Sequence, residues 1–302
     1  MAYVCWFHLT GSHMLTLVLS LFSFAHAEPA THEARNPLFK SFLDSGLLVG
    51  ADQKAKFPAP TMPDGLDEAK QKAVLAKLIG DDYTFEDFTR KSIVAPQLLK
   101  LRDVNPSDPK APARGVDMWC VAYGELKALD DEKFLDRVVN AGRGEGKGNA
   151  LTKEELAKRK ITLSDEKHEQ YGHIEFDFLD KVRIKATGRV MWSRTDDSVI
   201  VAAEIDPRFQ GDADFPNQWQ SLAKESGELK VGMAHQWSGA GFYLKITKLA
   251  DPTGALFIEQ HVIFSEPTGW FNGANLLRSK LPPVVQNNVR NMRKEWAKGP
   301  GK

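Results

Sequence analysis

The feature that most constrains this chain is the alternation of apolar and polar residues between Tyr171 and Ile205. Ile174, Phe176 and Phe178 alternate with polar neighbours. Val182, Ile184, Ala186, Val190 and Trp192 alternate with Arg183, Lys185, Thr187 and Arg189. After the turn Thr195-Asp196-Asp197-Ser198, Val199, Val201, Ala203 and Ile205 continue the pattern. A period of two describes strands with one buried face and one wet or pocket-lining face. The connections are too short for a parallel crossover, so these strands pair as antiparallel hairpins. An amphipathic sheet of this kind must be covered on its apolar face, and the rest of the chain has to supply the cover.

Two further strands, Phe242 to Leu249 and Ala255 to Phe264, are joined by the turn Asp251-Pro252-Thr253-Gly254. Upstream, Ile93 to Val104 and Val116 to Tyr123 are β-rich, and Pro106, Pro109 and Pro112 stiffen the loop between them. Helical spacing covers residues 66–79 and 130–140. Further helices begin at Thr84 and Thr152, each residue opening a capping box. Residues 28–65 read as irregular, with the apolar stretch Pro37 to Leu43 docking on the main body. Residues 207–232 read as a long connection carrying Phe215, Trp219 and Leu222. At the C-terminus Val285, Val289, Met292 and Trp296 form one apolar helical stripe. Pro282 and Pro283 suit the first turn of that helix, or a kink after a shorter one.

Residues 1–27 contain no Asp, Glu, Lys or Arg, and Leu15 to Ala27 is apolar and ends in Ala25-His26-Ala27. This reads as a secretory signal cut before Glu28, which sends the mature chain to the periplasm or outside the cell. The alternative is an uncleaved membrane anchor using all the uncharged residues. No Lys or Arg precedes the apolar run, and Met14 is a second candidate start. Cys5 falls in this segment, so Cys120 is alone in the mature chain and reads as a small buried hydrophobe in a strand. With 42% hydrophobic and 26% charged residues the chain should form a packed core. Lys plus Arg equals Asp plus Glu at 40 each, which gives no electrostatic reason to expect nucleic acid as a partner.

No catalytic motif stands out. The run Gly142 to Gly148 lacks the P-loop spacing and follows a helix, so it reads as a solvated hinge. His168 and His173 are five residues apart, which on a helix turns them about 140° from each other, so they do not form a zinc-protease pair. His168 reads as exposed and His173 as opening a strand. No Gly-x-Ser-x-Gly elbow is present, and Asp196-Asp197 and Asp81-Asp82 sit in turns. No metal and no cofactor is expected. Glu204 is distinctive: it ends an apolar strand, with Arg208 four residues on. It reads either as an inward carboxylate needing a partner or as an outward edge charge.

The order of elements, and above all the C-terminal stretch, carries a family resemblance. Glu266-Pro267-Thr268-Gly269-Trp270-Phe271-Asn272-Gly273-Ala274-Asn275-Leu276-Leu277 is followed by Leu281-Pro282-Pro283-Val284-Val285 and by Val289-Arg290-Asn291-Met292-Arg293-Lys294. This resembles the final strand-to-helix segment of the START-like (helix-grip, SRPBCC-type) lipid-binding superfamily, over residues 171–298. The resemblance implies an α+β fold in which a curved antiparallel β-sheet grips a long C-terminal α-helix, with N-terminal helices. It divides the chain into a leader at 1–27, an N-terminal extension with a helix at 28–80 and a START-like domain at 81–298. Residues 28–80 have no counterpart in that family.

With the leader directing export, the resemblance implies a protein that holds a lipid or other apolar small molecule between sheet and helix, with transient contact to a membrane surface. The lining would draw on Trp192, Trp237, Tyr243, Phe264, Trp270, Leu277 and Met292. An alternative is an enzyme on the same scaffold doing acid-base chemistry with Glu204, Arg208 and His235. A third reading is an exported interaction protein without a small ligand.

Overall fold

The computed structural model describes residues 31–50, 53–104, 112–141, 147–165, 167–226, 228–270 and 276–301. The expected leader, the glycine-rich residues 142–146 and Phe271–Asn275 of the strand-to-helix turn lie outside the described residues.

The protein is α+β, with a large antiparallel sheet and a long C-terminal helix. Its elements in order are α1 (His32–Arg35), α2 (Pro37–Asp44), β1 (Leu47–Leu48), β2 (Lys54–Ala55), α3 (Glu68–Ile79), α4 (Phe85–Thr89), β3 (Gln97–Asp103), β4 (Ala113–Tyr123), α5 (Glu132–Asn140), β5 (Lys147–Ala150) and α6 (Lys153–Lys158). There follow β6 (Glu169–Phe178), β7 (Val182–Arg194), β8 (Ser198–Ile205), β9 (Gln218–Glu225), β10 (Glu228–Val231), β11 (His235–Gln236), β12 (Ala240–Lys248), β13 (Ala255–Ser265) and α7 (Leu276–Lys298).

The strands pair in the order β5-β6-β7-β8-β12-β13-β4-β3, all antiparallel. β7 also forks the sheet. Its first residues, Val182 to Lys185, pair with β9, whereas Gly188 to Arg194 pair with β8. Asn217, fully buried, fills the gap between the branches. Its side chain accepts from Thr187 N at 2.6 Å and donates to Asp206 O at 2.7 Å, standing in for the missing ladder partner. Gly188 is required at this fork, because a Cβ there would lie 2.3 Å from the Glu204 carbonyl oxygen.

Both faces of the sheet are covered, by different parts of the chain. On one face, α5 and α7 pack Phe134, Leu135, Val138, Val289, Met292 and Trp296 against Met118, Cys120, Val201, Leu244 and Ile258. On the other, Leu38, Phe39, Phe42 and Phe57 meet Met191, Ile200, Ala202, Tyr243 and Ile263. Met62, Leu75, Ile79 and Phe88 extend that cover over Val121 and Phe257. Residues 31–89 therefore form the second layer.

Several expectations are corrected. Residues 28–65 are not wholly irregular. The Asn36 side chain caps α2 by accepting from Phe39 N, and Pro37 opens it, so that Leu38, Phe39 and Phe42 all face the sheet. The stretch 207–232 is not a plain connection: it holds β9 and β10, an edge hairpin whose mixed exposure hides the alternation. The first strand begins at Gln97, just after Pro96, not at Ile93. Pro282 and Pro283 lie inside one continuous helix rather than opening it. His173 sits within β6, and Lys147 and Gly148 belong to β5 rather than to a hinge. The capping box of Thr152 with Glu155 forms as read, and Thr84 caps α4 by accepting from Asp87 N.

Phe42 is fully buried and stacks on Phe57 at a centroid distance of 4.5 Å. Replacing it with Ala should lower the unfolding free energy by about 3–5 kcal/mol, measured by urea titration.

Candidate ligand-binding site

On the face toward α7, burial is uneven. The cross-strand row Val199–Ile246–Ile258–Cys120 is sealed, each residue at most 4% exposed. Burial pushes the Cys120 thiol up to about 11, which makes it inert at neutral pH. Two rows further along, Val190, Ala203, Phe242, Val262 and Leu101 are only half-buried, although Val116 between the last two is buried. Between these rows lies Trp192–Val201–Leu244–Gln260–Met118–Leu99, in which Trp192, Gln260 and Leu99 are half-buried. Half-exposed apolar side chains on a covered sheet face mean that solvent reaches the space above them. The face thus grades from a packed end to a half-covered apolar stretch, the trough, beside Val285 and Leu277 of α7.

At the α7 N-terminal end an aromatic cluster joins the trough. Trp270 lies 5.3 Å from Trp237, 6.1 Å from Phe264 and 6.2 Å from Trp219, centroid to centroid. Trp237 Nε1 donates to Ser265 O at 3.2 Å. Of the residues expected to line a site, Trp237, Phe264, Trp270 and Leu277 meet here, and Trp192 and Met292 lie in the neighbouring cluster.

Tyr243 and Glu204 do not join them. Tyr243 shares its strand face with Lys245 and Thr247, points toward the N-terminal layer and donates to Pro58 O at 2.8 Å. Glu204 lies on that same face. It is not at an edge, because β8 runs between β7 and β12. Burial holds its carboxyl above the usual carboxylate range, against the opposing charge of Arg189. Arg208 bonds Asp206 and the Tyr171 hydroxyl. His235 stays exposed and stacks on Trp219 at 4.6 Å. Among the described residues no hydrogen bond joins any two of these three groups. His168 is half-buried, with its ring edge against Trp192. Among the described residues no group of three or more His, Cys, Asp or Glu could hold a metal ion, and no helix is long and apolar enough to cross a membrane.

A cavity of about 410 Å³ also opens on the face away from α7, beside His173, Lys185, Asp212, Asn217, His235 and Gln236. Its polar groups are largely committed: Asp212 to Arg159, Asn217 to the fork, and His173 to Thr187 at 2.7 Å.

Sequence reading missed Val190, Ala203, Val262 and Gln260 as floor residues. Strand parity marks them, since each shares a face with Trp192, Leu244 or Phe264. It also missed a buried ionic network beneath the N-terminal layer. Lys245 bonds Asp64 and Met62 O, each at 2.7 Å, and the Ser198 hydroxyl donates to Asp64. Desolvation opposes ionisation of Asp64, but hydrogen bonds from His32, Lys245 and Thr195 hold its carboxyl far below the usual range. Glu259, fully buried, accepts from Thr61 N and Met62 N. His261 bridges Asp117 at 2.8 Å and Glu259 at 3.3 Å, while Arg102 donates to Asp117 at 2.8 Å.

Burial disfavours charge on His261, but Asp117 and Glu259 outweigh it and raise its pKa. A raised folded-state pKa contributes stability that is fully present below the unfolded value of about 6.5 and is lost as pH rises through the folded value. Unfolding free energies measured in urea across that interval should therefore decline with rising pH. The decline should flatten in His261→Gln.

No protein-family model matches the chain, and no curated protein matches it in sequence. Among solved structures it is similar to the human StarD13 (DLC2) lipid transfer and protein localization domain, with 9% identity and a TM-score of 0.41, over 76% of this chain and 98% of that one. It is also similar to an uncharacterized protein from Rhizobium leguminosarum, with 10% identity and a TM-score of 0.33, over 62% of this chain and 98% of that one. A conserved protein from Geobacillus kaustophilus shows 10% identity and a TM-score of 0.31, over 61% and 95%. These likenesses are remote, and the α+β architecture stands on the sheet and helix themselves.

Proposed function

We propose that the protein is a binding protein that holds an apolar small molecule, such as a lipid, against the sheet face beneath α7. The observation that supports this is the trough of half-buried apolar side chains, Val190, Ala203, Phe242, Val262 and Leu101, lying beside a fully packed core. Packing alone gives no reason to leave such a row half-covered when another row of the same sheet face is sealed. An apolar ligand would complete its burial and gain about 25 cal/mol for each Å² of apolar surface removed from water. The aromatic cluster of Trp237, Phe264 and Trp270 would close one end, with Leu277 and Val285 of α7 as the roof.

The acid-base reading on the same scaffold has less support. Glu204 lies on the opposite face, Arg208 is tied to Asp206 and Tyr171, and His235 is exposed.

Native mass spectrometry on protein purified from its own host, with its organic extract analysed in parallel, tests the proposal. A near-stoichiometric apolar adduct is the expected result. Ala203 sits between Val190 and Phe242 on the trough floor, so Ala203→Phe would fill the space where a ligand lies. That variant should retain less than about a tenth of the adduct. Its stability should change little, because overpacking penalties arise only where no space exists. Absence of any adduct, together with a strong destabilisation by Ala203→Phe, would show that the face is simply core.

A further inference from the structure

The trough floor carries one polar side chain at its centre. Gln260 lies on β13 between Ile258 and Val262 on the same face, and its cross-strand neighbours are Leu244 on β12 and Met118 on β4. All four neighbours are apolar, and Ile258, Leu244 and Met118 are buried. Gln260 itself is half-buried, at the boundary between the sealed row and the open one. Among the described residues its amide has no hydrogen-bond partner, and it is not among the polar atoms sealed away from solvent. The amide therefore opens into the trough.

Nothing in the fold calls for an amide here. Gln is not favoured in strands, and every surrounding position is filled by an apolar residue. An unpaired amide in apolar surroundings costs stability, and the cost rises when its remaining water is displaced without a replacement partner. A purely hydrocarbon ligand lying over Gln260 would impose that loss. A ligand with a hydrogen-bonding atom at this point would not.

We infer that Gln260 is the specificity-determining contact of the trough, and that it selects an uncharged apolar molecule bearing a carbonyl or hydroxyl oxygen within its apolar body. The inference rests on the apolar-binding reading above. An amide can donate to a carbonyl and can either donate to or accept from a hydroxyl. Charged groups are disfavoured at this point, because no charged side chain occupies the neighbouring positions on this face and a buried charge needs a partner. Arg114, Arg194 and Lys248 stand only at the strand ends.

Two fluorescent probes of similar apolar character separate the inference from the reading beneath it. Diphenylhexatriene is a pure hydrocarbon, whereas propionyl-dimethylaminonaphthalene carries one ketone whose emission moves to the red when it accepts a hydrogen bond. Each is titrated into the full chain and into Gln260→Leu and Gln260→Met, whose folding is checked by circular dichroism. The wild-type protein should bind both. Both variants should bind the ketone about tenfold more weakly, the size of one lost hydrogen bond to an otherwise unpaired group. Emission of the bound ketone should shift to the blue, and the hydrocarbon should bind as well as before or better.

If the variants leave ketone affinity and emission unchanged while both probes bind, the role of Gln260 is overturned and the apolar-binding reading stands. If both variants lose both probes, Gln260 shapes the trough rather than recognising an oxygen, and the inference is again overturned. If neither probe binds the wild-type protein, the apolar-binding reading falls and the inference falls with it.

Discussion

The ion pair between Lys245 and Asp64 is the constraint around which the two layers are organised. Lys245 is 3% exposed, in the middle of a central strand, where an ammonium without a partner would not be tolerated. Its partner comes from a distant part of the chain, together with the Met62 carbonyl. The neighbouring strand repeats the arrangement. Glu259 pairs across from Lys245 and is satisfied by the backbone of Thr61 and Met62, and His261 lies between Glu259 and Asp117, with Arg102 also on Asp117. The segment from Thr61 to Asp64 is thus held by charges the sheet cannot leave unpaired. That pins residues 31–89 to one face and leaves the opposite face to α5 and α7.

This division explains why the two faces of the central strands are covered to different degrees. The N-terminal layer brings short elements and extended chain that follow the sheet closely, and its buried polar groups specify where each piece sits. The α7 face is covered by α7, whose contacts with the sheet concentrate on β3 and β4, and by α5, which packs against α7. A straight helix crossing a twisted sheet touches it over a limited width. The sheet floor beyond that width, from Phe242 to Val190, is left half-covered. The fork at β7 widens the sheet on the same side, and the Asn217 amide makes the split possible by bonding both branches.

Much of this architecture was legible in the residues. Alternation located β6, β7 and β8, the turn Asp251-Pro252-Thr253-Gly254 marked the pair β12 and β13, and the stripe of Val289, Met292 and Trp296 located the C-terminal helix. What escaped were elements whose burial comes from two sources at once. The edge hairpin of β9 and β10 buries Trp219 and Leu222 but leaves most of its other residues exposed, so it carries no clean period. The α2 helix is too short for its period to stand out between prolines. Tyr243 shows how the candidate site was misjudged in part. An aromatic residue in an apolar strand fits either face, and only its shared parity with Lys245 and Thr247 assigns it to the N-terminal layer.

The sequence by itself determined the class of fold, the strands that pair as hairpins, the caps of α4 and α6 and the apolar stripe of α7. Each is a local property, set by a period or by a side chain within a few residues of its partner. Only the tertiary structure decided which face of each central strand meets which layer, that Lys245 and Asp64 form a pair, and that Gln260 stands alone on an apolar floor. Those outcomes depend on contacts between residues far apart in the chain. Side-chain alternation states that two faces exist, but not what will cover them.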